Sequence, residues 1–255
     1  TVGRIAKKLL GRSTPLAPLP YGTANNISKT LGLTELTLEE IVRGWTRGRR
    51  IAFDVGVARG PWGSRYFLEG AGVGVFARTI QLADENKTLK SLDDAEAKLA
   101  YALMMLRERL ALCSPHALKL KVDGRDVSGE YVLFEAMNME FVGPNLYLAP
   151  DSVTDDGQFD VVLIAECQRR KLDEYLSTWQ EGVTLPPDFT TLKAARVEIE
   201  WTGFDVHIDR ANRGAAFWAV GPHVLPGGGV GPPRGAAGRS GALLIGGSLL
   251  GRQEV

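Results

Sequence analysis

Leu19-Pro20-Tyr21-Gly22-Thr23-Ala24-Asn25-Asn26 is the stretch on which the reading of this chain turns. An apolar segment runs into a glycine turn, and a short helix then opens with Thr and two Asn residues near its first turn. Ile27 and Leu31 stand i, i+4 in that helix, and Gly32 occupies the C-terminal cap position. Residues 4–11 read as the end of a preceding helix stopped at Gly11, and residues 15–20 as a short buried strand feeding the glycine turn. Thr37-Leu38-Glu39-Glu40 has the form of a capping box and predicts a further helix through Trp45. Strand, loop and helix in that order are the α/β pattern of a nucleotide-binding half. The turn itself has two readings. Free N–H groups at a helix start, a dipole of the right sign and the Thr23 hydroxyl suit an anionic phosphate. Gly-Thr and Asn-Asn also make ordinary turns and N-caps.

Past Arg50 the period changes. Ile51, Phe53, Val55 and Val57 alternate with Ala52, Asp54, Gly56 and Ala58, which is the signature of a half-buried strand. Tyr66–Leu68 continues as a second strand, and Gly70-Ala71-Gly72-Val73-Gly74 reads as a close-packed bend rather than a dinucleotide loop, because no βαβ unit surrounds it. Residues 93–112 form one long helix with Leu99, Leu103, Leu106 and Leu110 along one face. Strand-like runs follow at 117–122, 130–137, 145–149 and 159–165, with Asp123-Gly124 as a hairpin turn. A helix over 169–180 precedes strands at 195–201 and 204–209. The expected fold is α/β plus β: a partial α/β nucleotide-binding subdomain over residues 1–46, then a mostly antiparallel, β-sandwich-like domain over 47–209. From Arg210 to Gln253 the chain has no Asp, Glu or Lys and is dominated by Gly, Pro, Ala and Arg, so 210–255 reads as a disordered tail.

A second segment carries chemistry. Tyr147-Leu148-Ala149-Pro150-Asp151-Ser152-Val153-Thr154-Asp155-Asp156-Gly157-Gln158-Phe159-Asp160 is an apolar strand, a proline, an acidic loop and a resumed strand. Adjacent carboxylates in a glycine turn suit a hard cation, and they equally suit an Asx-type turn between strands. Taken in order, the Leu-Pro-Tyr-Gly-Thr-Ala-Asn-Asn and Ala-Pro…Asp-Asp-Gly segments resemble the diacylglycerol kinase catalytic family, which includes bacterial lipid kinases and sphingosine kinases. The resemblance runs from Thr1 to about Asp209, roughly four-fifths of the chain.

What the resemblance implies is a lipid kinase that moves the γ-phosphate of ATP to a lipid hydroxyl, with Mg2+. Thr1, Val2 and Gly3 match the end of the family's first phosphate loop, and Gly22, Thr23, Asn25 and Asn26 match its second. Asp156 matches the metal-binding aspartate, with the backbone carbonyls of Val153 and Gln158 as companions. Three departures qualify the match. Thr1 aligns with the last residue of Gly-Gly-Asp-Gly-Thr, which places the front of the nucleotide domain upstream of this chain. Asn26 stands where the family more often has Asp. In the C-terminal Asp-Gly-Glu motif Asp209 is kept, but Ala211 stands at the glutamate proposed as general base, and alanine takes no proton. The catalytic set of this chain is therefore expected to be incomplete, and a shifted reading frame beyond Asp209 is one explanation. Two alternatives remain beside the lipid kinase: a non-catalytic lipid-binding remnant of the fold and a soluble, NAD kinase-like enzyme.

Composition sets the outer limits. The chain has 255 residues, 44% hydrophobic and 24% charged, with zero formal net charge, which gives no basic excess for nucleic acid. Cys113 and Cys167 make no disulfide framework or metal spacing and read as small apolar residues. No apolar run reaches the ~18 residues of a membrane span. A cytoplasmic protein touching the membrane surface to reach a lipid substrate is the expectation, and no feature speaks to oligomeric state.

Overall fold

Helix and strand formers segregate along the chain as the patterning requires. The computed structural model of the protein describes residues 2–48, 50–60, 62–183, 185–202, 206–209, 211–212, 240–247 and 253–254. Three helices come first, α1 Val2–Leu9, α2 Asn26–Thr30 and α3 Leu38–Gly44, followed by strands β1 Ala52–Phe53, β2 Gly56–Gly60, β3 Gly63–Phe67 and β4 Gly70–Gly74. Helices α4 Val75–Glu85, α5 Lys87–Ser91 and α6 Ala95–Leu112 lead to β5 His116–Val122, β6 Arg125–Asp126, β7 Gly129–Met137, β8 Phe141–Val142, β9 Leu146–Tyr147 and β10 Phe159–Ala165. Helix α7 Arg169–Gln180 precedes β11 Thr190–Ala194, β12 Arg196–Thr202, β13 Val206–Ile208, β14 Ala211–Asn212, β15 Ser240–Gly247 and β16 Gln253–Glu254.

Twelve of the strands join in one antiparallel sheet, ordered β14-β13-β4-β7-β5-β12-β15-β2-β3, with β10 and β11 continuing from β7 and β6 from β5. Strand β7 is the pivot, pairing with β4, β5 and β10. Its alternation separates two cores. Phe134 and Ala136 face inward with Val161, Leu120, Ile199 and Trp201. Leu133 and Met137 face outward, where α4, α6 and α7 cover them with Phe76, Leu106, Leu110 and Leu176. A third cluster of Ala6, Ile27, Phe53, Val55, Leu68 and Met139 fastens α1 and α2 to the sheet. Burial of these side chains, at about 25 cal/mol per Å² of apolar area, is the dominant stabilising term.

Several local expectations are met. Thr37 Oγ1 accepts from the Glu40 N–H and Glu40 Oε2 from the Thr37 N–H, completing the capping box. Asp123 and Gly124 both have positive φ, 48° and 83°, as a tight hairpin turn demands. Others are corrected. Residues 15–20 form no strand, since Pro15, Pro18 and Pro20 remove the amide donors a ladder needs. The glycine run is strand β4, not a bend, and it turns directly into α4 at Gly74, whose φ of 103° is closed to most side chains. Within the tail, the backbone of Ser240–Gly247 is a strand between β12 and β2. Its Ala242-Leu243-Leu244-Ile245 run supplies the β-forming composition that the surrounding Gly and Pro lack. Most of 210–255 lies outside the described residues. The cysteines are less buried than expected: Cys167 is exposed, and Cys113 is half-buried with its Sγ 3.3 Å from Arg169 Nη1.

Candidate functional site

The glycine turn is closed by Asn25. This residue sits at φ 54°, donates from Nδ2 to the carbonyls of Pro20 (3.0 Å) and Gly22 (2.7 Å), and accepts at Oδ1 from the Gly22 N–H (2.7 Å). The Gly22 amide is therefore engaged within the loop. Asn26 points the other way, into the molecule. It is 4% exposed and donates from Nδ2 to Glu69 Oε2 (3.0 Å) and to the Gly143 carbonyl (3.1 Å). Thr23 is half-buried beside them. The two asparagines thus divide the work: one shapes the turn and the other ties it to the β domain.

From Glu69 the contacts lead to Asp209. Its Oδ1 accepts from the N–H groups of Leu68 (3.1 Å) and Glu69 (2.9 Å), its own N–H donates to the Gly70 carbonyl (2.8 Å), and Lys7 of α1 forms an ion pair with Oδ2. A Cβ added to Gly3 would lie 3.9 Å from that same Oδ2. Asp209 holds φ 50°, a conformation that asparagine and aspartate tolerate better than most residues. Sequence positions 3, 7, 26, 69 and 209 are in this way one locus. Val2 begins the helix that carries Gly3 and Lys7, and Thr1 lies outside the described residues. Ala211 pairs with Ile208 in the β13–β14 ladder and brings no proton acceptor.

Behind Asp209 lies a buried pair. His207 Nδ1 meets the Asp209 carbonyl at 2.9 Å and Nε2 meets Glu135 Oε2 at 2.8 Å, with the side chains 2% and 0% exposed. Both ring nitrogens face acceptors, so the pair holds a proton beyond a neutral imidazole and a carboxylate. Burial pushes the Glu135 carboxyl above the usual range against the pull of His207. Burial alone would lower His207, but the Glu135 charge and hydrogen bond and the Asp209 carbonyl outweigh it, and its value is raised. Among the described residues Glu135 Oε1 has no hydrogen-bond partner. Space for this carboxylate explains Gly70 and Gly72 of β4, because a Cβ on Gly70 would sit 2.7 Å from Glu135 Oε1 and one on Gly72 2.2 Å from Glu135 Oε2.

The acidic loop is joined to this locus through Asp54. The Gly157 N–H donates to Asp54 Oδ2 (2.5 Å) and the Asp54 N–H to the Thr154 carbonyl (2.6 Å). Asn138 Nδ2 donates to the Asp54 carbonyl (2.7 Å), and its N–H to the Glu69 carbonyl (2.9 Å). In the loop itself both oxygens of Asp156 have a partner: Oδ1 accepts from the Gln158 N–H (2.9 Å), and Oδ2 lies 3.3 Å from Lys193 Nζ. Val153 is 47% exposed. Among the described residues no three His, Cys, Asp or Glu side chains converge on a possible metal. Asp156 as placed meets an amide and an ammonium, and not a group of acidic side chains. Burial works against the Lys193 ammonium, and its bonds to Asp160 and Asp156 more than offset this, leaving its value raised.

Lys7, Asp54, Glu69, Glu135 and Lys193 carry no motif and were not legible as site residues. Two of them gave a signal as lone charges in apolar runs, Asp54 inside Ile51-Ala52-Phe53-Asp54-Val55 and Glu135 inside Val132-Leu133-Phe134-Glu135-Ala136-Met137.

Known proteins resemble this chain in sequence and in fold. The chain is similar to a diacylglycerol kinase of Bacillus subtilis (strain 168), 29% identical over 150 residues, covering 58% of this chain and 46% of that protein. It is also similar to a diacylglycerol kinase of Mycobacterium tuberculosis (strain ATCC 25618 / H37Rv), 24% identical over 214 residues, covering 82% and 66%. It thus spans about half of the first relative and just under two thirds of the second. A crystal structure of a diacylglycerol kinase from Bacillus anthracis str. Sterne superposes with a TM-score of 0.59 at 19% identity, covering 96% of this chain and 71% of that one, which shows a common fold. Residues 71–227, more than half of the chain, match the model of the YegS C-terminal NAD kinase beta sandwich-like domain, and the chain belongs to that family.

Proposed function

We propose that the chain serves ATP-dependent phosphorylation of a lipid, with the γ-phosphate passing to the hydroxyl of a diacylglycerol-like alcohol. The observation that carries this reading is the convergence on Asp209 of Gly3, Lys7 and the Leu68 and Glu69 amides, with Asn26 of the glycine turn bonded to Glu69. Phosphoryl transfer depends on positioning and on compensation of charge. A carboxylate fixed by two amides and a lysine, next to the turn that would face the phosphates, is such a rigid element. The names of the curated relatives favour a lipid kinase over the non-catalytic remnant and over the soluble NAD kinase-like enzyme.

Among the described residues no helix is long and apolar enough to cross a membrane. Under this reading the acceptor is met at the bilayer surface, as a peripheral contact on the cytoplasmic side where ATP is supplied. Magnesium would enter with the nucleotide and supply compensation of phosphate charge, since Asp156 already meets the Gln158 amide and Lys193. Turnover by the chain as it stands is low, because Ala211 offers no base to the acceptor hydroxyl and such groups contribute ~10²–10⁴-fold in rate.

The test is incubation of the parent and of Ala211→Glu with γ-labelled ATP and a mixed lipid extract. Label enters a lipid product, weakly with the parent and more strongly with Ala211→Glu. Label confined to a water-soluble product would overturn the reading. Lipid retained by both proteins without any label would put the non-catalytic remnant in its place.

A further inference from the structure

The acidic loop is closed by a charge of the chain's own. Asp160 and Lys193 are direct partners in the antiparallel β10–β11 register. Their strand neighbours Val161, Leu163 and Ala194 are buried in the inner core, with Leu192 packed against it, so Asp160 and Lys193 stand together on the opposite face. Lys193 Nζ lies 3.0 Å from Asp160 Oδ2, 3.3 Å from Asp156 Oδ2 and 3.1 Å from the Asp151 carbonyl oxygen. An ammonium has three donors, and here two oxygens from the start and middle of the loop and one from strand β10 beyond it take them. Asp160 is 2% exposed, so its partner is not readily exchanged for water.

We infer that Lys193 is the resident cation of the Asp-Asp-Gly loop: its ammonium holds Asp151, Asp156 and Asp160 together, and the loop binds no divalent ion of its own. A hard divalent cation takes about six oxygens at ~2.0–2.6 Å. Asp156 is the carboxylate placed for that role, yet one of its oxygens is committed to the Gln158 N–H and the other to Lys193. An ion bound there would either face the ammonium at close range, like charge against like, or expel it and strip buried Asp160 of its counter-charge. The tethered cation also has no dissociation equilibrium. Loop order is then set by β10–β11 pairing and stays the same whether magnesium is abundant or chelated.

The test is thermal unfolding of the parent, Lys193→Met and Asp156→Asn, each in millimolar MgCl2 and in EDTA, with Mn2+ titration of the parent as a second measurement. None of these readouts involves phosphoryl transfer, so they stand apart from the proposed activity. A ligand that does not bind the folded state cannot raise its midpoint. The parent midpoint is therefore the same in MgCl2 and EDTA to within ~1 °C, and Mn2+ finds no site at the loop. Lys193→Met unfolds several degrees lower in EDTA and regains part of the loss in MgCl2. A parent midpoint raised by MgCl2, with the rise abolished by Asp156→Asn, would overturn the inference. So would a Lys193→Met protein as stable in EDTA as the parent. The parent measurements decide the matter even if Lys193→Met fails to fold.

Discussion

Glu135–His207 and Asp160–Lys193 are two acid–base pairs on one face of one strand ladder, built on opposite plans. Glu135 lies opposite Val162 and Asp160 opposite Met137, so the two acids are near neighbours on the helix-covered face. Glu135 and His207 are sealed from water and keep an oxygen, Glu135 Oε1, without a partner among the described residues. Lys193 is 36% exposed and shares its charge among three oxygens at the end of the ladder. A sealed pair is costly to break, because whichever partner is left behind has no water to turn to. A pair whose cation reaches the rim loses less when its acid is removed, since solvent and the remaining acceptors take up the ammonium. Depth, more than chemistry, sets what each pair contributes.

The largest effect follows from removing the imidazole. His207→Ala leaves the Glu135 carboxyl alone in a fully enclosed position, and breaking a buried pair from one side costs ~3–5 kcal/mol. Glu135→Gln keeps a hydrogen-bonding group of the same shape and removes the charge, so it costs much less. Urea denaturation of the three proteins measures both. A His207→Ala protein within ~1 kcal/mol of the parent would mean that the pair is not a structural element and that depth is the wrong measure.

How much of this was legible in the sequence depends on the reach of each interaction. The capping box at Thr37 and Glu40, the Asp123–Gly124 turn and the alternation of β5 are set by residues a few places apart, and each could be read directly. Helix α4 could not, because it begins at a glycine with no side-chain cap. The Asp209 locus and the Lys193 cluster depend on pairings across 33 to 202 positions, which no local pattern encodes. The family motifs did point to Asn26, Asp156 and Asp209. What they could not supply was the partner of each: Glu69, Lys193 and Lys7.

An intermediate effect is a pH dependence carried by the sealed pair. Both members of the sealed pair are raised, from ordinary values of 4.5 for Glu135 and 6.5 for His207, chiefly by burial for the acid and by the acid itself for the imidazole. The folded protein thus keeps a proton that the unfolded chain releases near 6.5. Where the folded state binds more protons, stability falls as pH rises. The pair's contribution is full below the unfolded value and is lost as pH climbs through the raised folded value. The loss is at most ~1.4 kcal/mol per pH unit for one proton. His207→Gln removes the titrating group, so the difference between parent and variant should shrink from pH 6 upward. A difference that is flat, or grows, with pH would show that the pair carries no extra proton.

The smallest effect belongs to the rim, at Asp156. Its side chain is 22% exposed, and Lys193 keeps Asp160 and the Asp151 carbonyl when it is removed. Asp156→Ala gives up one half-exposed ion pair, for which ~0–1 kcal/mol is usual. It also gives up the short turn bond to the Gln158 N–H, an amide that water can reach once the carboxylate is gone. The total expected loss is ~1 kcal/mol, well below that of His207→Ala, even though Asp156 belongs to a recognisable motif and His207 to none. A double-mutant cycle with Lys193→Met sharpens the point. Coupling between positions 156 and 193 should be a few tenths of a kcal/mol, because Lys193 is anchored mainly by buried Asp160. Coupling as large as that of a sealed pair would place Asp156 at the centre of the cluster and make Asp160 its accessory.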